Sequence, residues 1–208
     1  MTEPETSGPS TAEPNIVRWA TFEDTKKAFD AYVAAVGKVA HEWNYLHEKL
    51  GVLFVAVTGM ERNLALSIWY SVTSDRAQRE MLKASVFATS SQRSEKLPKA
   101  RDDLKWLLDR AEEVADARNN AVHAPCSLYL GGSISEMGVS YFNGNPRAKN
   151  LVGKELLVEF AWCEGYAATL SRYAEMLGNA VAFPDRFQWP ERPKILSRED
   201  FSGESRRS

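Results

Sequence analysis

The sequence predicts an all-α protein: an antiparallel bundle of four or five helices, with a short β-hairpin or loop inserted before the last one. Three observations carry this. Apolar residues recur at steps of three and four along several long stretches, the spacing of one helix face. Capping residues and prolines bracket those stretches where helices start and stop. Alternation by two is confined to one short segment after Pro125.

Residues 1–20 open acidic and rich in Pro, Ser and Thr. They hold too little apolar content to pack and read as a disordered tail. A helical domain then spans residues 21–184. Thr21 can cap the first helix, with Glu23 and Asp24 in the turn where the helix dipole favours carboxylates. Its apolar stripe runs Phe29, Val33, Val36, Ala40, Trp43, Leu50, Phe54 and Val57, broken at His47, and Gly59 ends it. Gly37 inside this helix costs ~1 kcal/mol relative to Ala, which predicts a bend or a close contact there.

A second helix covers Met60–Ser71, and a third runs from an N-cap at Ser74 to Ala88. Thr89–Lys96 reads as a loop. Pro98 suits the first turn of a fourth helix carrying Leu104, Leu107, Ala111 and Val114, and Pro125 stops it. Residues 127–152 form the insertion: Leu128 and Leu130 alternate, Gly131-Gly132 can turn, and Val139 and Tyr141 alternate again before Asn143-Gly144-Asn145-Pro146. The last helix, Lys154–Ala182, is striped by Leu156, Phe160, Cys163, Ala167, Leu170, Ala174, Leu177 and Val181. Residues 185–208 are polar and proline-interrupted and read as an extended or disordered arm.

Composition limits what such a bundle can do. The 208 residues are 44% hydrophobic and 26% charged, as in an ordinary globular domain. A net charge of −2 and a pI near 6.0 give no global cationic field, which leaves a local basic patch as the route to nucleic acid. The densest positive stretch includes Lys99, Arg101 and Lys105, and Arg147 with Lys149 forms a second basic turn. Cys126 and Cys163 form no CxxC pair and read as reduced thiols of a cytoplasmic protein. No secretory signal pattern opens the chain, and Leu50–Thr58, its longest apolar-rich window, is about half of what a bilayer span needs. No membrane partner is expected.

Several chemistries drop out. Glycine-rich phosphate loops of the GxxxxGK[ST] or GxGxxG kind are absent. His41 and His47 stand six apart, about 240° around a helix, so HEWNYLH is not a zinc-protease helix. There is no Glu-x-x-His pair, and only 3 histidines in all. No metal site and no cofactor are expected.

The informative segment is Asp116-Ala-Arg-Asn-Asn-Ala-Val-His-Ala-Pro125. Continuing the fourth helix's stripe beyond Val114 lands on Arg118, and an arginine on a core line needs a carboxylate or an anion. Asp116 or Glu155 could supply the carboxylate. On that account Asn119 caps the helix end and His123 is half-buried and neutral. Six Trp suggest core anchors, and Trp69, Tyr70, Trp106 and Trp162 could equally stack bases.

Arg118-Asn119-x-x-x-His123 resembles the R-N-x-x-x-H form of the motif that marks the HEPN superfamily. In a chain of this composition a bare Arg-x4-His arises by chance roughly 0.2 times, and requiring the Asn lowers that to roughly 0.01. Trp43-x-x-Leu46-x-x-x-Leu50-Gly51-x-x-Phe54 is also similar to first helices of bacterial HEPN-like proteins. The resemblance covers about residues 22–182. It implies a metal-independent endoribonuclease working as a homodimer, leaving 2′,3′-cyclic phosphate and 5′-OH ends. It assigns proton transfer to His123, phosphate charge to Arg118 and orientation to Asn119, with His47 as a possible additional member. RNA is the implied substrate, and an antitoxin protein and a toxin or defence role are the implied partner and setting. Two features depart from the family pattern: the 127–152 insertion, and His47, followed by Glu48, where an acidic side chain is expected. The alternative is a non-catalytic module of the same fold that binds RNA, a nucleotide or a protein.

Overall fold

Thr21 starts the first helix through a reciprocal cap: its hydroxyl accepts from the Asp24 amide at 3.2 Å, and the Asp24 carboxylate accepts from the Thr21 amide at 3.0 Å. The computed structural model describes residues 21–88, 98–131, 134–140 and 144–202. The predicted tail at 1–20, the loop at Thr89–Lys96, the residues Tyr141 and Asn143, and the last six residues lie outside these. Helix α1 (Phe22–Thr58) is followed by α2 (Arg62–Ser71), α3 (Asp75–Ala88) and α4 (Ala100–His123). Strands β1 (Cys126–Gly131) and β2 (Ile134–Val139) come next, then the single turn α5 (Pro146–Lys149), α6 (Leu156–Ala182) and the short α7 (Glu199–Ser202). The fold is an all-α bundle with one small hairpin.

The first and fourth helices stop where the sequence places them, whereas the fourth starts at Ala100, so that Pro98 precedes its first turn and is not part of it. Gly59 adopts φ 67°, the left-handed cap that glycine takes without strain, and its amide bonds back to the Val55 carbonyl. The fourth helix stops at His123, and Ala124 turns extended (φ −72°, ψ 132°) ahead of Pro125. Gly37 differs from expectation. Helix α1 is continuous through it, and a Cβ there would meet nothing within 4 Å. It marks an open face, not a close contact.

Helix direction is legible from cross-contacts. Arg79 meets Glu112 and Arg101 meets Phe87, so α3 and α4 run antiparallel. Trp106 packs on Tyr173 and Glu113 on Tyr166, so α4 and α6 do too. Helices α1 and α6 run side by side in the same direction: Tyr32 lies on Phe160, Lys49 pairs with Glu175, and Leu53 touches Gly178. Short α2 makes this possible by folding back along α1, its Trp69 seated against Gly51 and Phe54.

All eight stripe residues of α6 are buried, as are Leu104, Leu107, Ala111 and Val114 of α4. Helix α1 divides in two. Its second half buries Trp43, Leu46, Leu50, Leu53, Phe54 and Val57, whereas Phe29 and Val33 in its first half are about half exposed (51% and 48%). The hairpin pairs Cys126 with Val139 through Gly131 with Ile134 and packs β2 on α1. Between the turn after Phe183 and the short α7, the C-terminal arm lies against α4 and α6, with its Trp189 indole donating to Asp103.

Candidate functional site

The end of α4 meets α1 and α3 around one indole. Trp43 is buried, and its Nε1–H donates to Asp75 at 2.8 Å. The His47 ring lies 4.7 Å from it, one helical turn on. Two guanidinium groups approach the same indole, Arg79 at 5.4 Å and Arg118 at 5.9 Å from the ring centroid. Cation–π attraction of this kind is worth about 0.5–2 kcal/mol.

The two arginines are satisfied differently. Arg79 is buried and donates from Nε and Nη2 to the Glu112 carboxylate, at 3.1 and 2.7 Å. Arg118 is partly buried and donates from Nη1 to the Asn119 side-chain oxygen at 3.0 Å. Its Nε–H is buried with no acceptor, and among the described residues no carboxylate pairs with it. Asp116 does not reach it because residues two apart on a helix point to different faces. Asp116 instead lines a polar cavity of about 260 Å³ with Asn120, Glu159, Trp162 and Arg198.

His47 is fully engaged. Gln78 donates its amide N–H groups to the Trp69 and Val72 carbonyls, which fixes its Oε1 as acceptor for the His47 Nδ1–H at 3.2 Å. The other ring nitrogen, Nε2, then accepts from Arg79 Nη1 at 3.2 Å. Burial pushes the ring's pKa down, and the Arg79 and Arg118 charges add to this against the opposing Asp75 and Gln78. Both nitrogens are occupied, so this histidine reads as a member of the packed network. Glu48 beside it is exposed.

His123 is exposed in the last turn of α4, not half-buried. Five residues beyond Arg118, it stands about 140° around the helix and about 7.5 Å along it. Asn119 holds Arg118 and does not cap the helix, whose last turn closes through the Ala124 amide on the Asn120 carbonyl.

The basic candidates separate into two places. Lys99 precedes α4, Arg101 lies over the Phe87 ring and donates to its carbonyl, and Lys105 pairs with Asp109. From Lys105 to Arg118 is about 20 Å along the helix. Arg147 and Lys149 sit at the motif end, where Asn150 donates to Asn120 at 3.4 Å. Of the aromatics, Trp69 and Trp162 are buried, Trp106 is half-buried and Tyr70 is exposed.

Sequence reasoning missed Arg79, Gln78, Asp75 and Glu112. The signal was present, because Gln78 and Arg79 interrupt the Leu82–Val86 stripe as Arg118 interrupts that of α4. Among the described residues no three His, Cys, Asp or Glu side chains gather as a metal-holding group, and no helix is long and apolar enough to cross a membrane. Compared as a whole, the chain matches no family model, no curated protein and no solved structure.

Proposed function

We propose that this chain is a HEPN-like endoribonuclease that cleaves RNA as a homodimer, with the ends of α4 from two copies facing each other. One observation carries the reading. Arg118 is held by Trp43 and Asn119 yet paired with no carboxylate among the described residues, the state of an arginine that awaits an anion. A phosphate supplies that anion. His123, exposed five residues on, is free to exchange a proton with the ribose 2′-OH or the 5′-oxygen. RNA carries its own nucleophile, so the chain's residues need only position the phosphate, spread the charge growing on its oxygens and move one proton.

Arg118 and His123 point to different faces of one α4, which is why two copies are required to bring them to one phosphate. The same divergence favours a second reading, a module that grips RNA through Arg118 without cutting it. Incubating a pool of tRNA and mRNA in EDTA with wild type and His123→Ala separates the two. Cleavage that leaves 2′,3′-cyclic phosphate ends and disappears in the variant is the expected result. Cleavage that survives the substitution contradicts the assignment. A folded wild type that binds RNA and leaves it intact supports the second reading.

A further inference from the structure

The polar cavity of about 260 Å³ opens beside the end of α4, between that helix, residues 150–154 and the start of α6. Helix α4 lends it Glu113, Asp116 and Asn120, and the same face continues to His123. Asp116, Asn120 and His123 fall within about 60° of the helix circumference, with Arg118 on the far side. Three carboxylates line the cavity, and two of them are already held. Glu159 pairs with Arg198 at 2.7 Å and with Lys154 at 3.4 Å. Glu113 pairs with Arg110 at 2.7 Å and accepts from the Tyr166 hydroxyl at 3.0 Å. Asp116 has no hydrogen bond and no ion pair among the described residues. One turn on, the Asn120 side-chain oxygen accepts from Asn150 at 3.4 Å, and its amide N–H groups have no acceptor among the described residues.

An acceptor-rich lining turns away a phosphate and suits an uncharged ligand that carries adjacent N–H donors. The volume lies below the roughly 300–1,000 Å³ of pockets for drug-sized molecules, which suits a single ring system. Leu151 and Phe160 give apolar walls for the faces of such a ring. Of the RNA bases only guanine has two adjacent N–H donors on its pairing edge, N1–H and N2–H, which match the two oxygens of one carboxylate. Its O6 lies on the same edge and accepts. Residues four apart on a helix stand ~5–6 Å apart at Cβ, a separation that lets Asp116 take N1–H and N2–H while Asn120 donates to O6. Adenine and cytosine offer one amino group beside a ring acceptor, and uracil one N–H between two carbonyls. Each leaves a carboxylate oxygen facing another acceptor.

We infer that this cavity is a guanine site, read by the Asp116 carboxylate and the Asn120 amide of the same copy that lends His123 to the reaction. The inference deepens the ribonuclease reading and rests on it for the position of the cut. His123 follows Asn120 by about 4.5 Å along the helix axis, so the ribose of a seated guanosine emerges at His123. The 2′-oxygen of that guanosine bonds to phosphorus as the bond from phosphorus to the 5′-oxygen breaks. His123 takes the 2′ proton, and the 5′-oxygen leaves with a proton from water. Arg118, contributed by the second copy, meets the charge on the phosphate. Cuts therefore fall on the 3′ side of guanosine.

The test titrates the full-length wild type and Asp116→Asn by calorimetry with the 3′-monophosphates of guanosine, inosine and adenosine, which share one charge. Asp116 is exposed, so the variant keeps the fold. Wild type is expected to bind the guanosine nucleotide at least 10-fold more tightly than the inosine one, which lacks the N2 amino group, and than the adenosine one. The variant replaces one acceptor with a donor and is expected to lose that preference. Equal binding of the three nucleotides, binding of none, or a preference that survives Asp116→Asn would overturn the inference. A second arm reads the 3′ ends left by both proteins on pooled tRNA and mRNA in EDTA. Wild-type products are expected to end in guanosine 2′,3′-cyclic phosphate, with the variant at least 10-fold slower at those sites. Cuts indifferent to guanosine would overturn the guanine site and leave the ribonuclease reading standing. A guanosine preference in the titration with no cleavage at all would support the site and overturn the ribonuclease reading.

Discussion

Arg79 and Arg118 both lie over the Trp43 indole, and their environments predict opposite consequences of removal. Arg79→Ala strips the buried His47 Nε2 of its donor and breaks the Glu112 pair. A cost of about 2–4 kcal/mol is expected, moderated because Glu112 can return to water. Arg118→Ala breaks no ion pair among the described residues and is expected to cost less than about 1 kcal/mol. Urea unfolding of the two variants checks the ordering, and equal losses would contradict it. His47 adds a pH signature. Its folded pKa lies below the ordinary value of about 6.5, chiefly through burial. As pH falls the unfolded chain therefore takes up this proton first. The stability His47 contributes is full above about pH 6.5 and is lost as pH drops through the lowered folded value. Wild type should lose more stability between pH ~7.5 and ~5.5 than His47→Gln, and identical losses would remove His47 as the cause.

Among the elements, α1 carries two glycines with opposite predicted behaviour. Gly37 faces open space within a continuous helix, so Gly37→Ala should stabilise by up to about 1 kcal/mol. A Cβ on Gly51 would stand 2.9 Å from Trp69 Nε1, on a ring buried to 0% exposure that has nowhere to go. Gly51→Ala should destabilise by about 1–3 kcal/mol and loosen α2 from α1. Thermal melts of both variants read the contrast directly, and a shift of the same sign would refute it. The stripe of α6 was fully legible because every face it marks is covered. That of α1 was legible only as a face: Phe29 and Val33 match the period and stay half exposed, since periodicity does not say whether a neighbour arrives. The cap at Thr21, the stop at Gly59 and the stop before Pro125 were readable because each is set by local chemistry.

At the scale of the molecule, the bundle was legible and the direction of its helices was not, because α2 reverses the chain in ten residues and brings α1 parallel to α6. The motif end of α4 drew attention through Arg118, which breaks the apolar line of α4 as Arg79 breaks that of α3. The network behind it depends on α3 residues far apart in sequence from α1 and α4, and only the fold joins them. The docking of the arm was hidden for a related reason: it has no period of its own, and its partners Asp103, Trp106, Glu159 and Trp162 are distant in the chain. The homodimer proposal predicts a dimer by sedimentation at micromolar concentration, consistent with the exposed apolar residues Phe22, Phe29 and Val33 on α1. A monomer there would remove the shared cleft.

The most direct measurement is RNA cleavage by wild type and Arg118→Ala compared at matched folded fraction. An arginine that serves a phosphate and no carboxylate predicts a loss of about 100-fold or more in cleavage with nearly unchanged unfolding. Undiminished cleavage, or a loss that only tracks lost folded protein, would contradict the assignment of Arg118 to the chemistry.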